Sequence, residues 1–111
     1  TPGTSNTEEL FSMDSNTIPN SYRLYPAYPN PFNPITTIRY DLPEQTFVFI
    51  TIYDVLGRKI RTIVNEKQDS GQRSIIWNAK DENEQSVSAG IYLYQIQAGD
   101  FVQTEKLILI K

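Results

Sequence analysis

After Tyr22, hydrophobic residues recur at every second position through most of the chain, the period of a strand with one buried face. In the stretch ITTIRYDL, Ile38, Tyr40 and Leu42 point one way, and Thr37, Arg39 and Asp41 the other. FVFITIY places Val48, Ile50 and Ile52 on one face and Phe47, Phe49 and Tyr53 on the opposite one, so this strand is apolar on both sides. In RKIRTIV, Ile60 and Ile63 break strict alternation and suggest a bulge. RSIIW directs Ile75 and Trp77 inward, and IYLYQIQ groups Tyr92, Tyr94 and Ile96. FVQTEKLILIK closes the chain.

Punctuation between these runs is strong. Pro26, Pro29, Pro31 and Pro34 crowd the segment YRLYPAYPNPFNP, which rules out a helix or a central strand and favours extended or turn backbone at an edge. Pro43 ends the next run. Asp54 to Gly57 reads as a hairpin turn, with Gly57 free to take the positive φ such turns require. Extended segments at roughly 8–12-residue intervals predict an all-β, immunoglobulin-like antiparallel β-sandwich of about seven strands. Residues 22–111 are expected to form that domain. Residues 1–21, rich in Ser, Thr, Asn and Pro, are expected to be a flexible linker in which Leu10-Phe11 is the one apolar island.

Composition narrows the chemistry. Hydrophobic residues make up 39% of the 111, with a mild net charge of −3 and cations scattered among anions. No basic patch suggests nucleic acid, and no polybasic segment suggests an anionic membrane. The chain has no Cys and no His. That excludes disulfides, Cys/His zinc sites, a Ser-His-Asp triad and a histidine pH switch. No run of about 18 apolar residues is present to span a membrane. No signal-peptide pattern opens the chain, so export would require a signal lying upstream.

Candidate constellations are few. The carboxylates fall mainly in loops and on outward strand positions, with no sign of a pair held beside a cleft. Asp81-Glu82-Asn83-Glu84-Gln85 spaces oxygen ligands as calcium could use them, but it lacks the glycine and bidentate glutamate of an EF-hand and reads far better as a polar hairpin loop. Trp77, Tyr92 and Tyr94 fit a core. Phe47, Phe49 and Tyr53 are either covered by the proline-rich segment or left as an exposed patch for a partner or a sugar.

Several stretches together resemble the type A C-terminal sorting domains of the type IX secretion system, and share part of their pattern with flagellar hook-capping immunoglobulin-like domains. They are Tyr28-Pro29-Asn30-Pro31-Phe32-Asn33-Pro34, Thr37-Ile38-Arg39-Tyr40-Asp41-Leu42-Pro43 and Ile52-Tyr53-Asp54-Val55-Leu56-Gly57-Arg58. Trp77-Asn78, Ser88-Ala89-Gly90-Ile91-Tyr92-Leu93-Tyr94, Ala98-Gly99 and Thr104-Glu105-Lys106 follow in order, with a terminal Leu107-Ile108-Leu109-Ile110-Lys111. Asn78-Ala79 departs from the Asp-Gly usual in such domains.

The resemblance implies a non-catalytic module without a cofactor, carried behind an N-terminal passenger, recognised by an outer-membrane translocon and in many relatives cut off by a sortase. The expected location is secreted or cell-surface, through the periplasm of a Gram-negative bacterium. Lys106 to Lys111 are the expected recognition residues, the final strand offering an edge for strand addition. The alternative is a carbohydrate-binding module appended to a secreted enzyme, using Phe47, Phe49 and Tyr53. A structural module of the hook-capping type is a third possibility, which the terminal position disfavours.

Overall fold

The computed structural model describes residues 18–111. Apart from Ile18 to Ser21, the expected linker lies outside the described residues, as does the Leu10-Phe11 pair. The strands are β1 Arg23–Leu24, β2 Thr36–Leu42, β3 Thr46–Asp54, β4 Lys59–Gln68, β5 Gly71–Trp77, β6 Gly90–Ala98 and β7 Phe101–Leu109. No helix occurs among the described residues. One sheet has the order β1-β2-β5 and the other β4-β3-β6-β7, and every strand pair is antiparallel. This is the expected immunoglobulin-like sandwich, with the fourth strand joined to β3 rather than placed beside β5.

The alternation in the sequence becomes the core. Ile38, Tyr40 and Leu42 of β2 face Val48, Ile50 and Ile52 of β3, and all six are buried. Trp77 sits among them, 1% exposed, with its ring centroid 5.7 Å from Phe32 and 5.6 Å from Tyr92. Its indole N–H donates to the Lys80 carbonyl at 3.0 Å, so the one polar atom of this large side chain is satisfied. The Tyr94 hydroxyl donates to the Tyr25 carbonyl at 3.0 Å and accepts from the Ala27 amide at 2.8 Å. Burial pushes its pKa up to about 12, so the hydroxyl stays protonated and keeps tying the proline-rich segment to β6.

The break in alternation along β4 resolves into two bulges. Ile50 opposes Val64 but Thr51 opposes Thr62, which leaves Ile63 as an extra residue. Ile52 opposes Arg61 but Tyr53 opposes Lys59, which leaves Ile60 as a second. Both isoleucines pack against the core from the side. Bulging lets an edge strand turn two apolar residues inward out of period.

Two hairpin turns share one construction. The Asp54 amide donates to the Arg58 carbonyl at 2.9 Å, and the Gly57 amide to the Asp54 carbonyl at 3.0 Å. Asp54 Oδ1 accepts from the amides of Leu56 and Arg58, both at 2.9 Å. The loop at Asp81 repeats every bond, with Asn83, Glu84 and Gln85 in the corresponding places. The left-handed position is Gly57 in the first, at φ 88°, and Glu84 in the second, at φ 63°. Asp81 Oδ1 is therefore committed to two backbone amides, the polar-hairpin form of this loop. Glu82 then docks the turn on the edge of β4, its amide donating to Ile60 O and its carboxylate accepting from the Thr62 amide. Ala79, where the resembling domains carry glycine, holds a left-handed φ of 62° and is buried.

Replacing Trp77 by alanine should lower stability by about 3–5 kcal/mol, the cost of removing a large aromatic from a packed core. Thermal or urea unfolding of Trp77→Ala checks this, and an unchanged midpoint would contradict the indole's central place.

Candidate recognition site

Strand registers divide the sandwich into two poles. Leu42, Thr46, Gly71, Ala98 and Phe101 lie at one, while Thr36, Asp54, Lys59, Trp77, Gly90 and Leu109 lie at the other. The described chain enters at the first pole, where Tyr22 stacks on Phe101 at 5.4 Å and its hydroxyl donates to Glu44. At the second pole the stretches separated along the sequence come together.

The proline-rich segment builds that pole by crossing from one sheet to the other. Tyr28 exchanges two backbone hydrogen bonds with Thr37 on β2, at 2.9 and 3.0 Å. The buried Thr36 hydroxyl donates to the Pro29 carbonyl at 2.7 Å. Peptide bonds preceding Pro29, Pro31 and Pro34 are cis. Phe32 then inserts between the sheets, 1% exposed, against Trp77. Its amide donates to Ile108 O at 2.9 Å, and its carbonyl accepts from the Ile110 amide at 3.0 Å. Asn30 extends the pairing with its side chain, Nδ2 donating to Lys106 O at 3.1 Å and Oδ1 accepting from the Ile108 amide at 3.0 Å. The edge of β7 at its C-terminal end is thus already occupied. A receptor strand adding there, as the sequence suggested, would have to displace Asn30 and Phe32.

Asp54 and Arg58 shape the neighbouring rim. Arg58 Nε lies 2.7 Å from Asp54 Oδ2. The Arg58 backbone amide, followed by its guanidinium and the Leu56 amide, holds the Asp54 carboxyl below the usual carboxylate range despite some desolvation. The turn presents Val55 and Leu56 at its apex, 65% and 75% exposed. Together with Tyr28, Ile91 and Ile110, also exposed, they give the pole an apolar rim. A groove of about 450 Å³ runs between this turn and the start of β6, lined by Val55, Ile60, Val87, Gly90 and Ile91 among others.

Of the expected recognition residues, Leu107 and Leu109 are buried and Ile108 is half-buried, while Lys106, Ile110 and Lys111 are exposed. Among the motif residues, Phe32 belongs to the core, Asn30 to the edge of β7, and Asp54 and Gly57 to a turn. Tyr28, Pro29, Pro31, Asn33, Pro34 and Arg58 are left on the surface. Sequence reasoning passed over Val55, Leu56 and Ile91 as surface residues. Two apolar side chains at a turn apex, where polar ones are usual, were the available signal. Among the described residues no group of three or more His, Cys, Asp or Glu is placed to hold a metal ion.

Fold and site together define a small immunoglobulin-like β-module whose distinctive residues build one pole. Residues 26–111 match the family model described as the secretion system C-terminal sorting domain, and the chain belongs to that family. No curated protein matches it significantly. Solved structures with a similar fold include dimeric latent PorU from Porphyromonas gingivalis, with TM-score 0.65 and 21% identity over 77% of this chain and 9% of that one. FlgD from P. aeruginosa gives 0.54 and 24% over 67% of this chain and 57% of that one. PorZ, an essential surface component of the type IX secretion system of P. gingivalis, gives 0.54 and 19% over 88% and 12%. At these identities the likeness establishes the fold alone, and this chain spans only part of each. Membership of the family makes the chain a C-terminal sorting signal for type IX secretion.

Asn30→Ala should destabilise the domain by about 1–2 kcal/mol, two modest hydrogen bonds being lost. Amide hydrogen exchange should rise at Ile108 while Ile38 in β2 keeps its protection; equal exchange at both would refute the edge role. Because Asp54 has a lowered pKa in the fold, its contribution is full above the ordinary carboxylate range near pH 4 and is lost as pH falls through the folded value. Asp54→Asn should therefore flatten part of the acid limb of a stability-against-pH curve, measured by urea unfolding between about pH 2 and 7.

Proposed function

We propose that this chain is a non-catalytic sorting module that carries an N-terminal passenger across the outer membrane to the cell surface, and that the translocon reads it at the motif pole. One observation carries this reading: four stretches far apart in sequence meet at the pole opposite the one where the described chain enters. A passenger preceding Tyr22 then lies behind, and the pole built by Tyr28 to Pro34, the Asp54 turn, the start of β6 and the last strand leads. In this proposal residues 1–21 are the linker and residues 22–111 the sorting domain. Lys106, Ile110 and Lys111 make contact from the surface, while Leu107, Ile108 and Leu109 hold the last strand in place. Lack of His and Cys supports a non-catalytic role. Cleavage by a sortase has no supporting observation, and the proposal stops at delivery.

The carbohydrate-binding alternative needs a flat aromatic platform. Phe47 and Phe49 are exposed, but their rings are tilted by 46° rather than coplanar. That geometry favours sorting.

The test fuses the 111-residue chain behind a signal-bearing inert reporter in a type IX-competent host. Full fusions are expected at the cell surface or in the medium, and fusions lacking Lys106 to Lys111 in the periplasm. That truncation also removes buried Leu107 and Leu109, each worth about 1.5–3 kcal/mol. Ile110→Asp and Lys111→Glu, both at exposed positions, accompany it with circular dichroism, and are expected to fold and to lose export. Equal delivery by the full, truncated and point-substituted fusions would overturn the proposal.

A further inference from the structure

Two open sheets have four outer edges, and in this sandwich one of them is left unguarded. β1 is two residues long, β4 is bulged, and β7 is closed at its C-terminal end by Asn30 and Phe32. The fourth edge is β5. It pairs with β2 in unbroken register from Leu42↔Gly71 to Thr36↔Trp77 and has no strand on its other side. Among the described residues no amide or carbonyl from Gln72 to Trp77 makes a backbone hydrogen bond outside that ladder. β5 contains no Pro, Lys, Asp or Glu and no bulge, the devices that keep an edge from pairing. Every second residue along it therefore turns an amide and a carbonyl outward in strand spacing.

Beside this edge the two sheets part. A groove of about 250 Å³ opens there, lined by Ile75, Ile76 and Trp77 of β5 and by Arg61, Thr62 and Ile63 of β4. Ile63 and Ile75 are half-buried against the core, and Ile76 is 57% exposed. Alternation turns Arg73, Ile75 and Trp77 towards the facing sheet, and Gln72, Ser74 and Ile76 away from it. The charges along the edge are one-sided. The Arg73 guanidinium donates to the Asp69 carbonyl at 2.9 and 3.2 Å, and pairs with no carboxylate among the described residues. Arg39, opposite Ser74, stacks on the Tyr25 ring and also lacks a carboxylate partner among them. Arg61 is offset by Glu84 at 2.8 Å, and Asp41 is held by the Tyr25 hydroxyl at 2.6 Å.

We infer that the outer edge of β5 takes an extended segment of a partner protein as an added strand. That segment sets an acidic side chain beside Arg73 and, two residues on, an aliphatic one beside Ile75, in the groove against Ile63. Backbone pairing supplies the contact that any strand could make, and the acid and the aliphatic side chain at strand spacing supply the selection. A second copy is the poorer occupant, since β5 against β5 brings two arginines and no acid. The inference does not depend on the sorting role. A strand held here extends the three-stranded sheet along the side of the sandwich rather than across its motif pole.

The probe is the end-blocked peptide Thr-Glu-Thr-Val-Thr-Val-Thr, titrated to millimolar concentration into the isotope-labelled full chain and followed by amide NMR. Shifts are expected at alternate amides between Gln72 and Trp77 and at Ile63, with none at Ile108. The same peptide methylated on its backbone nitrogens should bind at least about tenfold more weakly, because it cannot donate to the edge. Lysine in place of its glutamate should weaken binding several-fold. Ile76→Lys puts a charge on the exposed edge and should abolish the β5 shifts, while Val102→Lys, exposed on β7, should leave them intact. Absence of β5 shifts, or equal binding by the methylated or the lysine peptide, would overturn the inference. So would β5 shifts that grow with protein concentration in the absence of peptide, which would mark a second copy as the occupant.

Discussion

A single aromatic side chain holds the motif pole together, and it comes from the least regular part of the fold. Phe32 lies in a segment with no strand period, yet its ring fills the gap between the sheets against Trp77, which in turn packs edge-on to Tyr92. Its backbone simultaneously pairs with both Ile108 and Ile110. One residue therefore couples the core of the sandwich to the position of the last strand. The prolines around it serve that placement, because a chain with few free φ angles loses little entropy on adopting one path. Asn30 completes the arrangement by offering a side-chain amide where a backbone would otherwise be needed.

The same economy governs the sheet edges, which in a β-sandwich invite unwanted pairing. β1 has only two residues and runs into Pro26. β4 carries bulges at Ile60 and Ile63 and is covered in part by the Asp81 turn through Glu82. β7 is closed at its C-terminal end by Asn30 and Phe32. Features that look unrelated in the sequence, a proline cluster, two misplaced isoleucines and an acidic loop, thus answer one physical problem.

Much of this was legible beforehand, and the residues show why. Alternation identified inward faces because side chains in a strand have a fixed period, and Ile60 and Ile63 marked bulges because they violated it. The glycine of the Asp54 turn announced a left-handed residue; the equivalent Glu84 and Ala79 did not, since nothing in either side chain signals positive φ. Periodicity also cannot say which segment covers a face. The proline-rich stretch was as plausible over Phe47 and Phe49 as anywhere, and only the tertiary fold sends it to Trp77. The site was legible as a set of motifs, whereas their convergence at one pole, and the division into buried and exposed members, depended on registers that long loops leave undetermined.

Opposite placement of the entry point and the last strand has a mechanical consequence. Tension between a load at the entry pole and a grip at Lys111 would run along the strands. Hydrogen bonds of an antiparallel ladder lie across that direction, so those joining β7 to β6, together with the bonds from Phe32 and Asn30, share the force and must give way together. At the entry side, β1 resists with two residues and the stacking of Tyr22 on Phe101. A domain built this way is stiff where it is held and yielding where it pulls, so a stubborn load frays the entry end before the grip is lost.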